Sequence, residues 1–247
     1  MVKSFKIAAV QLNISKPINS IINDIRKYMH NAKLKKVDII CFPEDSIFLG
    51  PKKNKIIISQ VMECCKLYKI WCIISTHLKE KKYLYNSALL IDDEGRLVGK
   101  HKKVHIMGDG PKITPGSKFD IYTTPFCKIG IAICWDVSNP RAIYSMAKKG
   151  AKVIFCPMYW CYDDWAHKKN HKKAEKKILQ SLILARAYES LTYVVFCNPI
   201  DVNEKSITSY TAIAGPHKII KEIFGKEGMI VVKIDLKSLS EVRKKSA

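Results

Sequence analysis

The chain has 247 residues, of which 47% are hydrophobic, and its 43 lysines and arginines against 22 acidic residues give a net charge of +21. This composition excludes intrinsic disorder, and no apolar stretch approaches the roughly 18 continuous residues that a membrane helix needs. The length fits one α/β domain over residues 1–247. The N-terminal segment indicates a first strand and not a signal peptide, so we expect a cytoplasmic protein without membrane association.

Ten apolar runs along the chain are typical of strands. They lie at 5–12, 37–43, 70–77, 84–92, 119–123, 128–134, 152–157, 192–198, 209–214 and 229–235. Segments with helical character lie between several of them, at 16–34, 54–67, 140–149 and 170–190. Strands that alternate with helices predict layered α/β architecture.

Two of the helical segments have apolar residues on one face. In the first these are Ile18, Ile21, Ile22, Ile25 and Met29, and in the last they are Ile178, Leu182, Ala185 and Tyr188. The segment 92–95, Asp-Asp-Glu-Gly, predicts a hairpin turn between two strands. Arg186 and Glu189 lie one helical turn apart, which predicts a structural ion pair.

The positive charge allows two interpretations, a nucleic-acid-binding surface or a solvated surface rich in lysine. The lysines are spread over most of the chain, and the densest clusters, 51–55 and 167–177, have no recognised binding module around them. We therefore expect no sequence-specific nucleic-acid binding, and any residual binding should weaken steeply with salt.

The nine cysteines include no C-x-x-C pair, which argues against a zinc ribbon or a thioredoxin motif and favours reduced, mostly buried thiols. His167 and His171 share a helix face, but Lys168 stands where a zinc hydrolase has a glutamate. We expect neither a metal site nor a cofactor.

Three segments carry candidate chemistry. Residues 128–136 form an apolar run that ends at Cys134, before a break and a helix from Pro140, whose N-terminus favours a thiolate. Residues 37–44 form a second apolar run ending in Pro-Glu44, and residues 99–106 place Lys103 two residues before His105. Each alone has an ordinary structural explanation: a buried inert thiol, a turn carboxylate, a solvated lysine.

In this order and spacing the three segments resemble the nitrilase superfamily, the carbon–nitrogen hydrolases with a Glu-Lys-Cys triad. The resemblance runs from residues 8–11 in the first strand to residues 234–236, and includes Pro115-Gly116 and residues 185–189. It implies a four-layer α-β-β-α sandwich and a cofactor-free thiol hydrolase. It also implies Cys134 as nucleophile, Glu44 as base and later acid, and Lys103 with the backbone N–H of Trp135 as oxyanion donors.

Two positions depart from the family pattern. Many members carry a second glutamate six residues before the Pro-Gly turn, where this chain has Asp109. The aspartate side chain is shorter by one methylene. It either still orients Lys103 or the substrate, or is too short to reach them. The family commonly has Pro-Glu after the nucleophile, where this chain has Pro140-Arg141. That exchange of an anion for a cation puts the usual local ion pairing in doubt.

Substrate recognition is expected in residues 158–165, where Tyr159 and Trp160 can line an apolar pocket and Asp163 and Asp164 can attract an amine-bearing substrate. A packed aromatic loop with solvated acids is the alternative.

The leading functional hypothesis is an amidase that hydrolyses a small carboxamide or N-carbamoyl compound with water. A true nitrilase, and an inactive basic interaction protein on the same scaffold, are the alternatives. The resemblance also implies a homodimer or larger, formed by the stretch after Pro140 and the helix at 170–190. Four apolar positions of that helix are more than one buried face needs: Ile178, Leu182, Ile183 and Ala187.

Overall fold

The computed structural model describes residues 2–47, 50–110, 112–161, 171–201 and 206–245. The strands are β1 Ser4–Gln11, β2 Ile39–Cys41, β3 Trp71–Glu80, β4 Tyr83–Ile91, β5 Leu97–Lys102, β6 Ile121–Thr123, β7 Lys128–Ile131, β8 Val153–Pro157, β9 Tyr193–Cys197, β10 Tyr210–Gly215, β11 Lys218–Phe224 and β12 Gly228–Asp235. The helices are α1 Ile18–Leu34, α2 Pro51–Tyr68, α3 Pro140–Lys148, α4 His171–Ser190 and α5 Leu236–Lys245, with a short 3₁₀ helix at Cys134–Ser138.

The strands form two six-stranded sheets, in the orders β12-β1-β2-β3-β4-β5 and β11-β10-β9-β8-β7-β6. In β1, Ile7 and Ala9 belong to a core shared with the second sheet, while Ala8 and Val10 pack with α1 and α2. Helices α3 and α4 cover the other face of the second sheet. This α-β-β-α order confirms the four-layer sandwich that the family resemblance implied.

All ten predicted apolar runs contain a strand of the structure, and the inner strands among them are largely buried. Strands β1, β2 and β3 run parallel, as do β7, β8 and β9, and such inner strands are predominantly apolar. Strands β5 and β11 were missed because most of their residues are exposed or half-buried, whereas β6 and β12, which are also sheet edges, fall within predicted apolar runs. The hairpin predicted at 92–95 is confirmed, since β4 and β5 pair antiparallel across it.

The two helix faces predicted from spacing had different outcomes. Four of the five apolar residues predicted on the α1 face are buried, and the fifth is half-buried. In α4 the predicted face was wrong, because Ile178 and Tyr188 are 43% and 63% exposed. The face that packs inward instead carries Glu175, Leu179, Ile183, Arg186 and Ala187. Its two charged residues interrupt the apolar spacing, so the sequence pattern does not indicate this face.

Candidate active site

The candidate residues follow strands from both sheets, at the point where each strand ends. Glu44 comes after β2, Lys103 after β5 and Cys134 after β7. The backbone N–H of Glu44 donates to the carbonyl of Met158, after β8, over 3.2 Å. This bond ties the end of the first sheet to the end of the second, so that the site spans the seam between them.

Lys103 is the centre of a buried ion cluster. Its ammonium lies 2.9 Å from Oε1 of Glu44 and 2.6 Å from Oδ2 of Asp109, and all three side chains are at most 4% exposed. A buried ammonium is stable only with such compensation. Asp109 therefore reaches Lys103 despite its shorter side chain.

A tight approach of two loops holds Lys103 in place. Its backbone N–H donates to the carbonyl of Asn86, and its own carbonyl accepts from the N–H of Gly116. A Cβ on Gly116 would collide with the carbonyl oxygen of Lys102. The Pro-Gly turn noted in the sequence is thus required for close backbone contact.

Asn86 is a site residue that the sequence reasoning missed. Its amide nitrogen donates to Oε1 of Glu44 over 2.7 Å and to Oδ1 of Asp109 over 2.6 Å. The amide thus holds two carboxylates that repel each other in the same buried space. The sequence offers one signal for this role, a single asparagine directly before the apolar half of β4.

The strand before Cys134 is shorter than predicted. Strand β7 ends at Ile131, three residues before the thiol, and not at 134. The cause is Asp136, whose Oδ2 accepts the N–H of Ile133 over 2.9 Å and draws the chain into the 3₁₀ helix. Cys134 itself has a φ of +43°, a left-handed conformation that is costly for a non-glycine residue and holds its side chain in a sharp turn.

Asp136 also joins the Cys134 turn to the lysine loop. Its Oδ1 accepts the backbone N–H groups of Val104 and His105 over 3.1 and 2.7 Å. The rings of His101 and His105 lie 3.3 and 3.1 Å from the same carboxylate, which is fully buried. The sequence run that ends in Cys134-Trp135-Asp136 therefore contains a positioning residue beside the thiol, and His105 serves this connection.

Burial governs the protonation of the site. It raises the pKa of Glu44 to about 7. The positive charge of Lys103 opposes this shift, and the negative charges of Asp45 and Asp109 add to it. Burial would lower the pKa of Lys103, but Glu44, Cys134 and Asp109 outweigh it and the net shift is upward. The cluster thus combines a lysine that stays protonated with a carboxyl that titrates near neutral pH.

The thiol of Cys134 lies against the same groups. Burial raises its pKa well above the ordinary value, the charge of Glu44 adds to this, and Lys103 and a backbone hydrogen bond from Tyr159 oppose it. The partial charge of the neighbouring helix N-terminus favours a thiolate, but desolvation outweighs it and the net shift of the Cys134 pKa is upward. A neutral thiol beside a carboxyl of raised pKa is a thiol–base pair.

Aromatic side chains form one wall beside the thiol. The rings of Trp135 and Trp160 lie 5.2 Å apart, and the indole nitrogen of Trp160 donates to Oε1 of Glu175 on α4 over 2.7 Å. The predicted recognition residues Asp163 and Asp164 lie outside the described residues, as does His167, and of the His171 side chain nothing is described.

Arg186 supports the turn from the other side. Its guanidinium donates to the carbonyls of Val137 and Ser138 at the end of the 3₁₀ helix and lies 3.1 Å from Glu189. The predicted Arg186–Glu189 pair is confirmed. Arg141, the departure from the family pattern, is exposed.

Three further observations concern metal ligands, the cysteines and membrane-spanning helices. Within the described ranges, no three His, Cys, Asp or Glu side chains are grouped as metal ligands. All nine cysteines are free thiols, and seven of them are buried. No helix in the described part of the chain has the length and apolarity to cross a membrane.

The comparison with known proteins gives one consistent answer. Residues 6–244 match the family described as carbon–nitrogen hydrolase. The chain is 25% identical over 266 residues to omega-amidase NIT2 of Xenopus tropicalis, covering 97% of this chain and 91% of that one. It is 32% identical over 173 residues to a probable nitrilase of Schizosaccharomyces pombe, covering 67% and 58%. A carbon–nitrogen hydrolase from Helicobacter pylori superposes with a TM-score of 0.87 at 19% identity over 99% and 93% of the two chains. The match over nearly the whole length, together with the fold, shows that the chain belongs to the carbon–nitrogen hydrolase family.

Proposed function

We propose that this protein is an amidase that hydrolyses the C–N bond of a small carboxamide or N-carbamoyl compound through a Cys134 acyl-enzyme. The observation that carries the proposal is the buried cluster of Glu44, Lys103 and Asp109 against the thiol. Similarity to an omega-amidase supports an amide as the substrate class. The aromatic pair of Trp135 and Trp160 favours a small planar group next to the scissile bond.

In the first half-reaction, the Cys134 sulfur attacks the carbonyl carbon and its proton passes to Glu44. Oε1 of Glu44 is held by Lys103 and Asn86, so Oε2, which has no other hydrogen-bond partner among the described residues, is left to receive it. Lys103 and the N–H of Trp135 stabilise the negative oxygen of the tetrahedral intermediate. Glu44 then returns the proton to the leaving nitrogen, the C–N bond breaks, and a thioester remains.

In the second half-reaction, water replaces the amine. Glu44 takes a proton from water, the resulting oxygen nucleophile attacks the thioester, and the same donors hold the second tetrahedral intermediate. Collapse breaks the C–S bond, and the proton on Glu44 returns to the sulfur. The sum is amide plus water to carboxylic acid plus ammonia or amine, with no redox change and no cofactor.

The test is ammonia release from a panel of carboxamides, N-carbamoyl compounds and nitriles. Wild-type protein should release ammonia from at least one amide, and Cys134→Ala should reduce this to below about 1% because no sulfur nucleophile remains. Cys127→Ala is the matched control, since this half-buried thiol lies in the turn between β6 and β7, outside the site. Turnover by Cys134→Ala near the control level would refute the proposal, and activity on nitriles alone would favour the nitrilase alternative.

We further propose a homodimer formed through α3 and α4. These helices expose Tyr144, Ile178 and Tyr188, which are 48%, 43% and 63% accessible in the single chain. Ile183 and Ala187 are buried in the chain's own core and do not contribute. Sedimentation at about 0.15 M salt, where surface charges are largely screened, should show a dimer, and a single species of 28.2 kDa would contradict it.

A further inference from the structure

A second acid–base pair lies beside Glu44 and has no role in the mechanism above. His77 on β3 stands opposite Asn86 on β4, and its Nε2 lies 3.2 Å from Oδ1 of Asp45, the residue that follows Glu44. The histidine side chain is 10% exposed. Asp45 has a left-handed φ of +54°, so its direction is fixed by the same turn that presents Glu44.

His77 lies beside the carboxylate of this region that Lys103 does not contact, Asp45, whose side chain is 28% exposed. Three carboxyl groups share the region, and Lys103 contacts only two of them, Glu44 and Asp109. Asp45 would add an uncompensated negative charge next to the base, which raises the free energy of deprotonating Glu44. A protonated His77 supplies the missing positive charge.

The electrostatic environment agrees with that charge count. Burial lowers the pKa of His77, but Asp45, and then Asp109 and Glu44, outweigh it and the net shift is upward. Asp45 in turn raises the pKa of Glu44. Among the described residues, Cys134 and the amide of Asn86 also face Glu44, and from α2 the side chain of Asn54 donates to the backbone carbonyl of His77.

We propose that His77 is a positioning residue that, by holding a proton against Asp45, keeps Glu44 deprotonated and able to accept the thiol proton near neutral pH. The inference rests on the proposed function of Glu44 as the base. The His77–Asp45 pair then acts electrostatically, and the shift of the Cys134 alkylation profile on loss of His77 should come from the uncompensated charge of Asp45.

The experiment measures alkylation of Cys134 by iodoacetamide against pH, followed by mass spectrometry of the peptide that carries it. This readout needs no amide substrate, so it stands even where no hydrolysis is found. His77→Gln should move the midpoint of the profile upward by about half a pH unit or more, because Asp45 is then unbalanced. Asp45→Asn should not raise it, and the double variant should return to the wild-type midpoint. His217→Gln, on an exposed histidine, is the control and should leave the profile unmoved.

A purely structural role would give a different pattern. If His77→Gln leaves the midpoint unchanged, or if the double variant is shifted as far as His77→Gln alone, the inference is wrong. Where a variant fails to fold, the proton NMR titration of His77 in the unmodified protein decides: a midpoint above that of free histidine supports the inference, and one below it overturns the inference. If the alkylation profiles shift as expected but the protein hydrolyses no amide, the proposed function is refuted and this inference stands.

Discussion

Two neighbouring lysines at the end of β5 lie in opposite environments. Lys102 lies over the ring of Tyr85 and 2.6 Å from Oε2 of Glu80, in a surface cluster whose charged side chains are roughly one-third exposed. Lys103, one residue later, is 2% exposed and lies between Glu44 and Asp109. Both are lysine–carboxylate clusters, and the alternation of an extended chain directs one outward and the other inward.

The difference in burial reverses the effect on the carboxylate. Hydrogen bonds from Lys100 and then Lys102 lower the pKa of Glu80, as expected for an acid beside cations in water. The pKa of Glu44 is raised to about 7 although it contacts Lys103, because burial outweighs that charge. Contact with lysine therefore does not by itself keep the pKa of an acid low, and of these two clusters only the buried one holds a carboxyl whose pKa is raised to about 7.

The largest expected effect comes from replacing the two lysines in turn. Lys103→Met should reduce kcat by about a hundredfold or more, the scale that follows loss of an oxyanion donor. Lys102→Met is the matched control and should leave kcat within about twofold, since a surface ion pair contributes little. Steady-state kinetics on the best amide distinguishes them, and an inactive Lys102→Met with an active Lys103→Met would reverse the assignment.

Removing the negative charge of Asp109 should have the next largest effect on activity. Asp109→Asn keeps the shape of the side chain and removes the charge that orients Lys103, so we expect a loss of kcat/KM of about tenfold to a hundredfold, as a displaced catalytic group produces. Glu80→Gln is the surface counterpart. Equal activity of the two variants would show that Asp109 does not orient the lysine.

The pH dependence of kcat/KM should report the titration of Glu44 and not that of Glu80. The base must be deprotonated, so kcat/KM should rise with pH and level off above about pH 7, falling about tenfold per unit well below that. Lys103, whose pKa is raised, stays protonated through this range. Initial rates across pH test this, and an acid limb near the ordinary glutamate pKa would mean that burial does not control the base.

The smallest effect is expected from the surface cluster itself. Glu80→Gln should change the free energy of unfolding by less than about 1 kcal/mol, because exposed ion pairs are solvated and screened by salt. Urea unfolding at low and high salt measures it. A larger, salt-independent loss would mean that the Glu80 cluster is not a surface feature.

Much of the site was accessible from sequence because its residues end apolar strands. Glu44 and Cys134 each follow a buried strand, and their order along the chain with Lys103 indicated the family that the match confirms. Asn86 and Asp136 were not assigned roles, since a lone asparagine or aspartate beside an apolar run has no periodic signal. Their importance lies in partners that are 23 and 32 residues away.

The sequence by itself determined a layered α/β architecture, since its strands alternate with helices, and its resemblance to a known family implied the four-layer order. It also determined which acid, lysine and thiol are candidates. Only the tertiary structure decided the inward face of α4, the edge strands β5 and β11, and the protonation of the site. Each of these depends on which groups are withdrawn from water and what surrounds them, which is a property of contacts between distant segments and not of local spacing.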